Sequence, residues 1–474
     1  MKFASSLVLL TSDHKLVLQK RTDSPNVFFS GCWGLIGGAA TDDEDEMQCI
    51  LRECYEEVNW KPDFLLNLFT VKEHCIETVF YSEVDSVESL KCLEGEELRA
   101  FEYEELNSIK ISVYHRNILN NFFKEYVDEQ QNSRFKTNIL FYTKVLPPAF
   151  GGYVTAGVNY GRVISMMGKT TLVSDDTIER CLNNKYDILF FNATYEGSSV
   201  FDLIRKNCRR ICTIEHNKIT DSNSDEMIAR MQAADVVIVP SEFLKNLILK
   251  DCKNTSKING DKIEIVPIPI NNDVFSYEYR DSIINETKIK FVSMCAIKPV
   301  RNLQKSISLI RHLVAYGLNC EYDIYGKNSF FSNSSYFDEL QYFIKINGLD
   351  KRVKFKGAVI GSFNISKLLR EYDYYLDFSE YETYGQAKIE AVLSGLYLIV
   401  PDNENNNSLL PKGFVFFNGD IESVAKRVFD LISLHIMNPK IKVEFEKKAC
   451  LYSWEHFTDH VVRVILQDVF KKFF

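Results

Sequence analysis

Long apolar runs and paired cysteines are both missing from this 474-residue chain. Without a run of about 18 or more apolar residues, no segment is suited to cross a bilayer as a helix. The 12 cysteines include no Cys-x-x-Cys pair, which argues against a zinc site or a disulfide framework. Reduced thiols fit best, so we expect a cytoplasmic protein, either free in the cytosol or peripheral at the inner face of the membrane.

A surplus of positive charge is missing as well, since the formal net charge is -9. Residues 1–130 contain 12 basic and 25 acidic side chains, a net charge of -13, whereas residues 131–474 carry +4. This balance neither requires nor excludes nucleic acid as a partner of the second part. At 46% hydrophobic residues, the chain is globular and too long for a single core, so two or three domains are expected.

Acidic residues are concentrated in one early segment. Glu53, Glu56 and Glu57 follow Arg52, and Glu44 is placed one to two helical turns earlier. Positions three and four apart share one face of a helix, so these carboxylates form a negative patch that needs a counter-charge. Mg²⁺ prefers oxygen ligands and shares them with substrate phosphates, so the pattern predicts pyrophosphate chemistry. The alternative is a solvated acidic helix with ordinary salt bridges.

The spacing from Gly38 through these glutamates resembles the signature of Nudix hydrolases. The resemblance implies an α/β/α sandwich with a metal-dependent active site. Glu53, Glu56 and Glu57 would bind Mg²⁺, with Mn²⁺ as an alternative, and Arg52 would orient the glutamates.

Three positions depart from the family pattern. Ile36 stands where proline is usual, Thr41 where a further glutamate is common, and Asn59 where a glycine closes the helix. Asparagine tolerates the left-handed conformation of such a cap, so the last change is expected to be mild. The opening run KFASSLVLLTS leads through a polar turn into LVLQKR, and we interpret it as a strand rather than a signal peptide.

From residue 137 onward, apolar strand patterns alternate with helical patterns. The first series reads ILFYTKVL, YDILFFNA, RICTIEH, DVVIVPS and KIEIVPIP, and the second IKFVSMCA, EYDIYG, VKFKGAV, YDYYLDFS, LYLIVP and FVFF. Such alternation predicts two doubly wound, Rossmann-like parallel sheets with ligands at the carboxyl ends of their strands. The polar segment 128–134 is the expected linker, and the residues from Trp454 to Phe474 are expected to form a helix that crosses back to the first of these sheets.

Glu382 and Glu390 flank Tyr384, Gly385 and Gln386 at a point where a loop would turn into a helix. Backbone N–H groups at the start of a helix bind phosphate, and a glutamate two turns along can accept hydrogen bonds from ribose hydroxyls. This element resembles the Glu-x7-Glu element of retaining GT-B glycosyltransferases of the group 1 type. By this resemblance Glu390 would hold the ribose, and Glu382 would face the donor sugar and diphosphate of a nucleoside-diphosphate sugar.

The resemblance spans roughly residues 137 to 470 and assigns further residues to the donor site. They are Gly151, Gly152, His216, Lys298 and Arg301. The basic side chains would neutralise the departing diphosphate, and no metal is required in this half. Ala296 stands where many relatives carry an arginine, which places more weight on Lys298 and Arg301. Each residue also has a structural alternative, since glycines permit tight turns and a lone histidine often serves only packing.

Together these patterns predict a bifunctional enzyme with a Nudix domain at 1–130, two glycosyltransferase domains at 137–280 and 281–455, and a crossing helix at 456–474. The expected partners are nucleoside-diphosphate compounds, a nucleotide sugar, and a glycan or lipid-linked acceptor. The runner-up acceptor is a modified base in DNA, as in phage GT-B enzymes. A third hypothesis makes the Nudix-like domain a non-catalytic nucleotide sensor that regulates the transferase.

Overall fold

The structure is a computed structural model. It describes residues 3–473 except 26–28, 42–43, 73–74, 128–136, 146–151, 194–197, 221–223, 252–257, 272–273, 276–287, 328–333, 360 and 412–415. The expected linker at 128–134 lies outside the described residues. The chain forms two compact units, one of Met1–Val239, Leu247–Asp273 and Val462–Phe474, and the other of Pro240–Asn246 and Val274–Val461.

The first unit begins with a mixed sheet, called here the N-terminal sheet. Its strands and helices are β1 (Phe3–Thr11), β2 (Leu16–Lys20), β3 (Trp33–Gly34), β4 (Ile36–Ala39), α1 (Glu46–Val58), β5 (Leu66–Lys72), β6 (Ile76–Val84), β7 (Glu97–Phe101) and α2 (Val113–Val127). The apolar opening of the chain forms β1, as predicted. β1 runs parallel to β6 and antiparallel to β2 and β4, so the glycines of β4 are held beside the start of β1. Leu7 and Leu9 of β1 pack in one buried cluster with Ile50 and Cys54 of α1.

The ends of α1 are fixed by the capping residues of this sequence. Asp45 accepts a hydrogen bond from the backbone N–H of Gln48, whose side chain accepts one from the N–H of Asp45. At the other end, Asn59 adopts the left-handed conformation with φ 47° and closes the helix, as the sequence predicts. Glu44 therefore lies before the helix and not on it, which corrects its expected helical position.

The left-handed cap at Asn59 gives the first prediction. Asn59→Ala should destabilise the last turn of α1 by roughly 1 kcal/mol, because the alanine Cβ crowds the following carbonyl in this conformation. Asn59→Gly should leave this turn as stable as in the wild type or more so. Hydrogen exchange of the Trp60 amide, which donates to the carbonyl of Cys54 at 3.1 Å, reports on this turn. Equal exchange rates in the two variants would contradict the prediction.

The rest of the first unit is a parallel sheet, called here the second sheet. Its elements are β8 (Asn138–Thr143), α3 (Gly152–Ser165), β9 (Lys169–Val173), β10 (Tyr186–Asn192), α4 (Ser198–Ile204), β11 (Cys208–Ile214), α5 (Ser224–Ala233), β12 (Val236–Val239), α6 (Glu242–Asp251) and β13 (Ile263–Ile265). The strand order is β13-β12-β11-β10-β8-β9, with all pairs parallel. All strands predicted for this series are present, and β9 is additional. The chain order reverses at β8 and β10, which is where ligands bind in such sheets.

Within this unit, the N-terminal sheet contacts elements that flank the second sheet. Helix α3 lies against β5. Arg180 donates to the carboxylate of Glu83 at 3.3 Å, and Asn271 donates to the side chain of Asn67 at 3.2 Å. Burial raises the pKa of Glu83 to about 7, against the opposing effect of Arg180. The acidic N-terminal part is thus joined to the following sheet by buried polar contacts.

The second unit is built on a further parallel sheet, called here the third sheet. Its elements are β14 (Ile289–Met294), α7 (Leu303–Ala315), β15 (Cys320–Tyr325), α8 (Ser334–Ile346), β16 (Val353–Gly357), α9 (Ser362–Leu369), β17 (Tyr374–Leu376), α10 (Gln386–Leu393), β18 (Tyr397–Pro401), α11 (Glu404–Leu409), β19 (Phe416–Phe417), α12 (Ile421–Met437) and α13 (Pro439–Phe457). The strand order is β16-β15-β14-β17-β18-β19, and it reverses at β14 and β17. These are the strands predicted from the sequence.

The end of the chain differs from the expected single helix. Trp454 belongs to α13, which ends at Phe457, and a separate helix α14 (Asp459–Lys471) follows Thr458 in extended conformation. The residues from Val462 onward belong to the first unit, where Phe470 stacks on Phe190 at 5.5 Å between ring centroids. Within the described part of the chain, none of the helices combines the length and apolar character that crossing a bilayer demands.

Candidate functional site

The carboxylates of α1 are organised by Arg52. Its guanidinium forms a two-point contact with Glu44, with Nε to Oε1 at 2.7 Å and Nη2 to Oε2 at 3.0 Å. Nη1 donates to both Glu53 and Glu56 at 2.8 Å. The hydrogen bonds from Arg52 lower the pKa of Glu44 to about 2. The counter-charge that the sequence requires on Glu53 and Glu56 is therefore supplied in this structure by Arg52.

Glu57 is separate from the Arg52 contacts. Its side chain is buried, and its carboxylate accepts a hydrogen bond from the backbone N–H of Gly37 at 3.0 Å. Gly37 has φ 144°, and a Cβ at this position would lie 2.2 Å from the carbonyl oxygen of Ser5, so only glycine fits there. The strand pairing of β4 with β1 thus places the Gly37 amide where it holds Glu57.

Burial raises the pKa of two of these glutamates. It raises the pKa of Glu57 to about 8, although the Gly37 amide opposes the shift, and it raises the pKa of Glu53. Glu56 is half-exposed, with 48% of its side chain accessible. The backbone N–H groups of Leu93 and Glu94 donate hydrogen bonds to the carbonyl of Glu57. The negative charge of Glu94 also raises the pKa of Glu53 and of Glu57. Sequence reasoning missed Glu94, because it is remote from the helix in sequence.

Among the described residues, no three Asp, Glu, His or Cys side chains converge as they would around a metal ion. Arg52 donates hydrogen bonds to the carboxylates of Glu53 and Glu56, and the Gly37 amide donates one to Glu57. The structure thus brings the predicted residues to one end of one helix but shows them in hydrogen bonds and ion pairs.

In the second sheet, polar side chains meet at the carboxyl ends of the strands. His216, just after β11, shares a hydrogen bond of 2.6 Å between its Nε2 and Oδ1 of Asn192 at the end of β10. Asn192 in turn donates to Thr143 at the end of β8 at 3.0 Å. A Cβ at Gly157 of α3 would lie 2.6 Å from the Thr143 hydroxyl, so α3 packs closely on this group. These residues lie where the strand order reverses.

Burial lowers the pKa of His216 to about 4, so the imidazole is neutral at pH 7. The neighbouring residue Glu215 forms a buried two-point ion pair with Arg230, at 3.0 and 3.1 Å. This pair anchors the end of β11 and fixes the backbone from which His216 projects. Gly152 begins α3, whereas Gly151 lies outside the described residues.

In the second unit, charged residues meet at the reversal point of the third sheet. Arg301 ends a short 3-10 helix after β14, and Glu382 lies in the loop after β17. The Glu382 carboxylate pairs with Arg301 and, at 2.9 Å, with Lys388 of α10. Burial would raise the pKa of Glu382, but Lys388 and Arg301 lower it to about 2, so Glu382 is ionised.

The start of α10 is shaped by Gly385. It is the N-cap of this helix with φ 106°, and a Cβ here would lie 2.3 Å from Cε of Lys388. The Tyr384 carbonyl accepts a hydrogen bond from Asn405 at 3.2 Å. The loop is therefore fixed where α10 begins, and the sequence predicts that the first N–H groups of this helix bind phosphate.

Glu390 lies on α10 and is almost completely buried. Gln386, one turn earlier, donates to its carboxylate at 2.9 Å. Burial raises the pKa of Glu390 to about 7, although the bond from Gln386 opposes the shift. The two glutamates of the predicted element thus differ, since Glu382 is paired with two cations, whereas Glu390 accepts a hydrogen bond from a neutral amide.

Lys298 is exposed at the N-cap of the 3-10 helix that ends at Arg301. Ala296 is only partly buried beside it. Of the two basic residues predicted for the diphosphate, Arg301 is therefore the one in direct contact with Glu382.

Besides Glu94, three residues of these polar groups were not identified from the sequence, namely Asn192, Lys388 and Asp377, which pairs with Lys388 at 3.2 Å. Asn192 and Asp377 are polar residues at the ends of predicted strands, a signal that could have found them. Lys388 carries no such signal, because it lies within a predicted helix and not at the end of a predicted strand.

Comparisons with known proteins identify two kinds of domain in the chain. A family model for the NUDIX domain matches residues 1–122, and one for Glycosyl transferases group 1 matches residues 277–448. No curated protein matches the chain.

Among solved structures, HepE from Anabaena in complex with UDP and glucose aligns with a TM-score of 0.58 at 14% identity, covering 71% of this chain and 99% of that one. Sucrose-phosphate synthase from Thermosynechococcus elongatus gives 0.57 at 12% identity, covering 71% and 98%. A glycosyltransferase from Rickettsia africae ESF-5 gives 0.54 at 14% identity, with the same coverage. At these identities the likeness establishes the fold, which is GT-B as predicted.

The family matches confirm the two kinds of domain inferred from the motifs. The chain is therefore a bifunctional hydrolase and glycosyltransferase, which joins an N-terminal Nudix domain to a group 1 glycosyltransferase domain of the GT-B fold.

Proposed function

We propose that the Nudix domain hydrolyses the pyrophosphate bond of a nucleoside-diphosphate compound, with Mg²⁺ held by Glu53, Glu56 and Glu57. The observation that carries this proposal is the burial of Glu57, whose pKa of about 8 shows that the Gly37 amide and the charge of Arg21 do not offset this burial. A divalent cation would favour the ionised form. The donors are all carboxylate oxygens, which suit Mg²⁺ or Mn²⁺, so the residues present fit the metal.

The residues of the chain have separate tasks in this proposal. Arg52 orients Glu53 and Glu56, since one nitrogen donates to both at 2.8 Å. The Gly37 amide orients Glu57. When bound, Mg²⁺ would neutralise the diphosphate oxygens and lower the pKa of the attacking water. Arg52 contacts one oxygen of each carboxylate, Oε1 of Glu53 and Oε2 of Glu56, so it can hold both side chains while their other oxygens face a cation.

We further propose that the glycosyltransferase part transfers a sugar from a nucleoside-diphosphate sugar with retention of configuration. Arg301 and the N–H groups at the start of α10 would stabilise the leaving diphosphate, because both lie at the reversal point of the third sheet. Glu390 would accept hydrogen bonds from the ribose, and Glu382 would face the sugar. The resemblance also assigns His216 to the sugar, and its imidazole is neutral at pH 7.

For the acceptor we propose a glycan or a lipid-linked precursor. The alternative of a modified base in DNA predicts a different response to salt, because DNA binding releases counterions and weakens steeply as the salt concentration rises. Transfer to a glycan should be almost insensitive to salt. Duplex DNA with hydroxymethylated bases is the comparison acceptor that tests the DNA alternative.

The products separate the two activities in one experiment. The full-length protein is incubated with UDP-glucose and other nucleoside-diphosphate sugars, with Mg²⁺ or with EDTA. Hydrolysis should release nucleoside monophosphate and sugar phosphate only with Mg²⁺, whereas transfer should release nucleoside diphosphate under both conditions. If no member of a broad panel of nucleoside-diphosphate compounds is cleaved with Mg²⁺, the hydrolase proposal is wrong.

A further inference from the structure

Lys388 is a buried lysine on helix α10. Only 4% of its side chain is accessible, and its ammonium contacts Glu382 at 2.9 Å, Asp377 at 3.2 Å and the Asn406 side chain at 2.7 Å. Three partners match the three donors of an ammonium group. Burying such a charge is costly unless it is paired, so the position is unusual for a residue that only fills space.

The side chain of Lys388 also packs against the loop before α10. Gly385 lies against its methylene chain, since a Cβ there would be 2.3 Å from Cε. Asp377 accepts hydrogen bonds from both the N–H and the hydroxyl of Ser379, which leads into the same loop. Lys388 thus links the end of β17, through Asp377, to the carboxylate of Glu382.

The two cations on Glu382 differ in their access to solvent. Arg301 has 27% of its side chain accessible, whereas Lys388 is enclosed. Only Arg301 is placed to contact a ligand, because an enclosed ammonium with three partners has no free donor. When Arg301 turns toward a diphosphate, Lys388 remains as the counter-charge of Glu382.

We propose that Lys388, fixed by Asp377 and Asn406, is a positioning residue that keeps Glu382 ionised and oriented toward the donor sugar while Arg301 serves the diphosphate. This inference deepens the proposed transferase function and rests on it. Lys388 itself touches no substrate, so its effect passes through Glu382.

This role predicts a change in kcat and in the pH profile rather than in donor binding. The groups that face Glu382 are Arg301, Lys388, Asp377, Cys295 and Tyr375. Of these, only Lys388 and Arg301 are cations. Removal of Lys388 leaves Glu382 easier to protonate, so the acid limb of the kcat profile should move to higher pH.

The test measures nucleoside-diphosphate release from UDP-glucose, or from whichever donor the wild type uses, by Lys388→Met. The kcat should fall about 100-fold, with KM for the donor and affinity for UDP nearly unchanged. Lys442→Met is the matched control, because Lys442 is also a buried lysine of the second unit, paired with Glu446. Both variants lose a buried ion pair, but only Lys388→Met should alter kcat and its acid limb.

A milder variant keeps the test valid if Lys388→Met fails to fold. Asn406→Ala removes one hydrogen bond from Lys388 and should shift kcat and the acid limb in the same direction by a smaller amount. A wild-type kcat and acid limb in the folded variant, or equal losses in the Lys442→Met control, would overturn the role of Lys388. A wild type without transferase activity toward any donor would instead overturn the proposed function.

Discussion

Glu57→Gln should lower metal-dependent hydrolysis by about 1000-fold or more and leave glycosyl transfer unchanged. Glutamine keeps the size of the side chain, and its amide oxygen can still accept the hydrogen bond that the Gly37 amide gives to Glu57. It removes the negative charge that a divalent cation requires. The measurement is kcat for release of nucleoside monophosphate at saturating Mg²⁺, beside the rate of nucleoside-diphosphate release by transfer.

Glu104→Gln is the matched control for this experiment. Glu104 is an exposed carboxylate of the same domain, outside α1, so its substitution should leave both rates as in the wild type. If Glu57→Gln alters transfer while the wild type shows no hydrolysis, the Nudix domain is a nucleotide sensor and the hydrolase proposal is wrong. Unchanged hydrolysis in Glu57→Gln would likewise exclude its role as a metal ligand.

Arg301→Met should reduce kcat for transfer by about 1000-fold and weaken UDP binding, with hydrolysis by the Nudix domain unchanged. The substitution removes a partly accessible cation at the reversal point of the third sheet. Glu382 keeps its contact with Lys388, so the loop before α10 should stay in place. Both kcat and the UDP dissociation constant are measured, since a residue that acts on the leaving diphosphate affects transition state and product alike.

Lys305→Met provides the comparison for Arg301→Met. Lys305 is an exposed lysine in the first turn of α7, close in sequence to Arg301 but without an ion pair to Glu382. It should transfer sugar at the wild-type rate. Equal activity of Arg301→Met and Lys305→Met would show that Arg301 does not act on the diphosphate.

Local chemistry made several parts of this protein predictable from its sequence. The strand series and α1 follow from periodicity and capping, and the left-handed Asn59 follows from the tolerance of asparagine for this conformation. The Glu-x7-Glu element falls at a loop followed by a helix that begins at Gln386, as predicted. These features depend on residues that are close together in the chain.

Long-range contacts account for what the sequence did not reveal. Glu44 is separated from Arg52 by a helix start, yet it forms the two-point ion pair that holds the guanidinium. Lys388 meets Asp377 only because α10 returns beneath the end of β17. The break at Thr458 was missed because the apolar pattern continues across it. The partners of Glu44 and Lys388 are thus set by packing rather than by sequence spacing.

Anomalous diffraction from crystals soaked in Mn²⁺ tests whether the early helix holds a catalytic cation. We expect one strong peak within coordination distance of the Glu57 carboxylate and of Glu53 or Glu56. A site without any peak at millimolar Mn²⁺, with Arg52 still bound to Glu44, Glu53 and Glu56, would contradict metal-dependent hydrolysis by this domain.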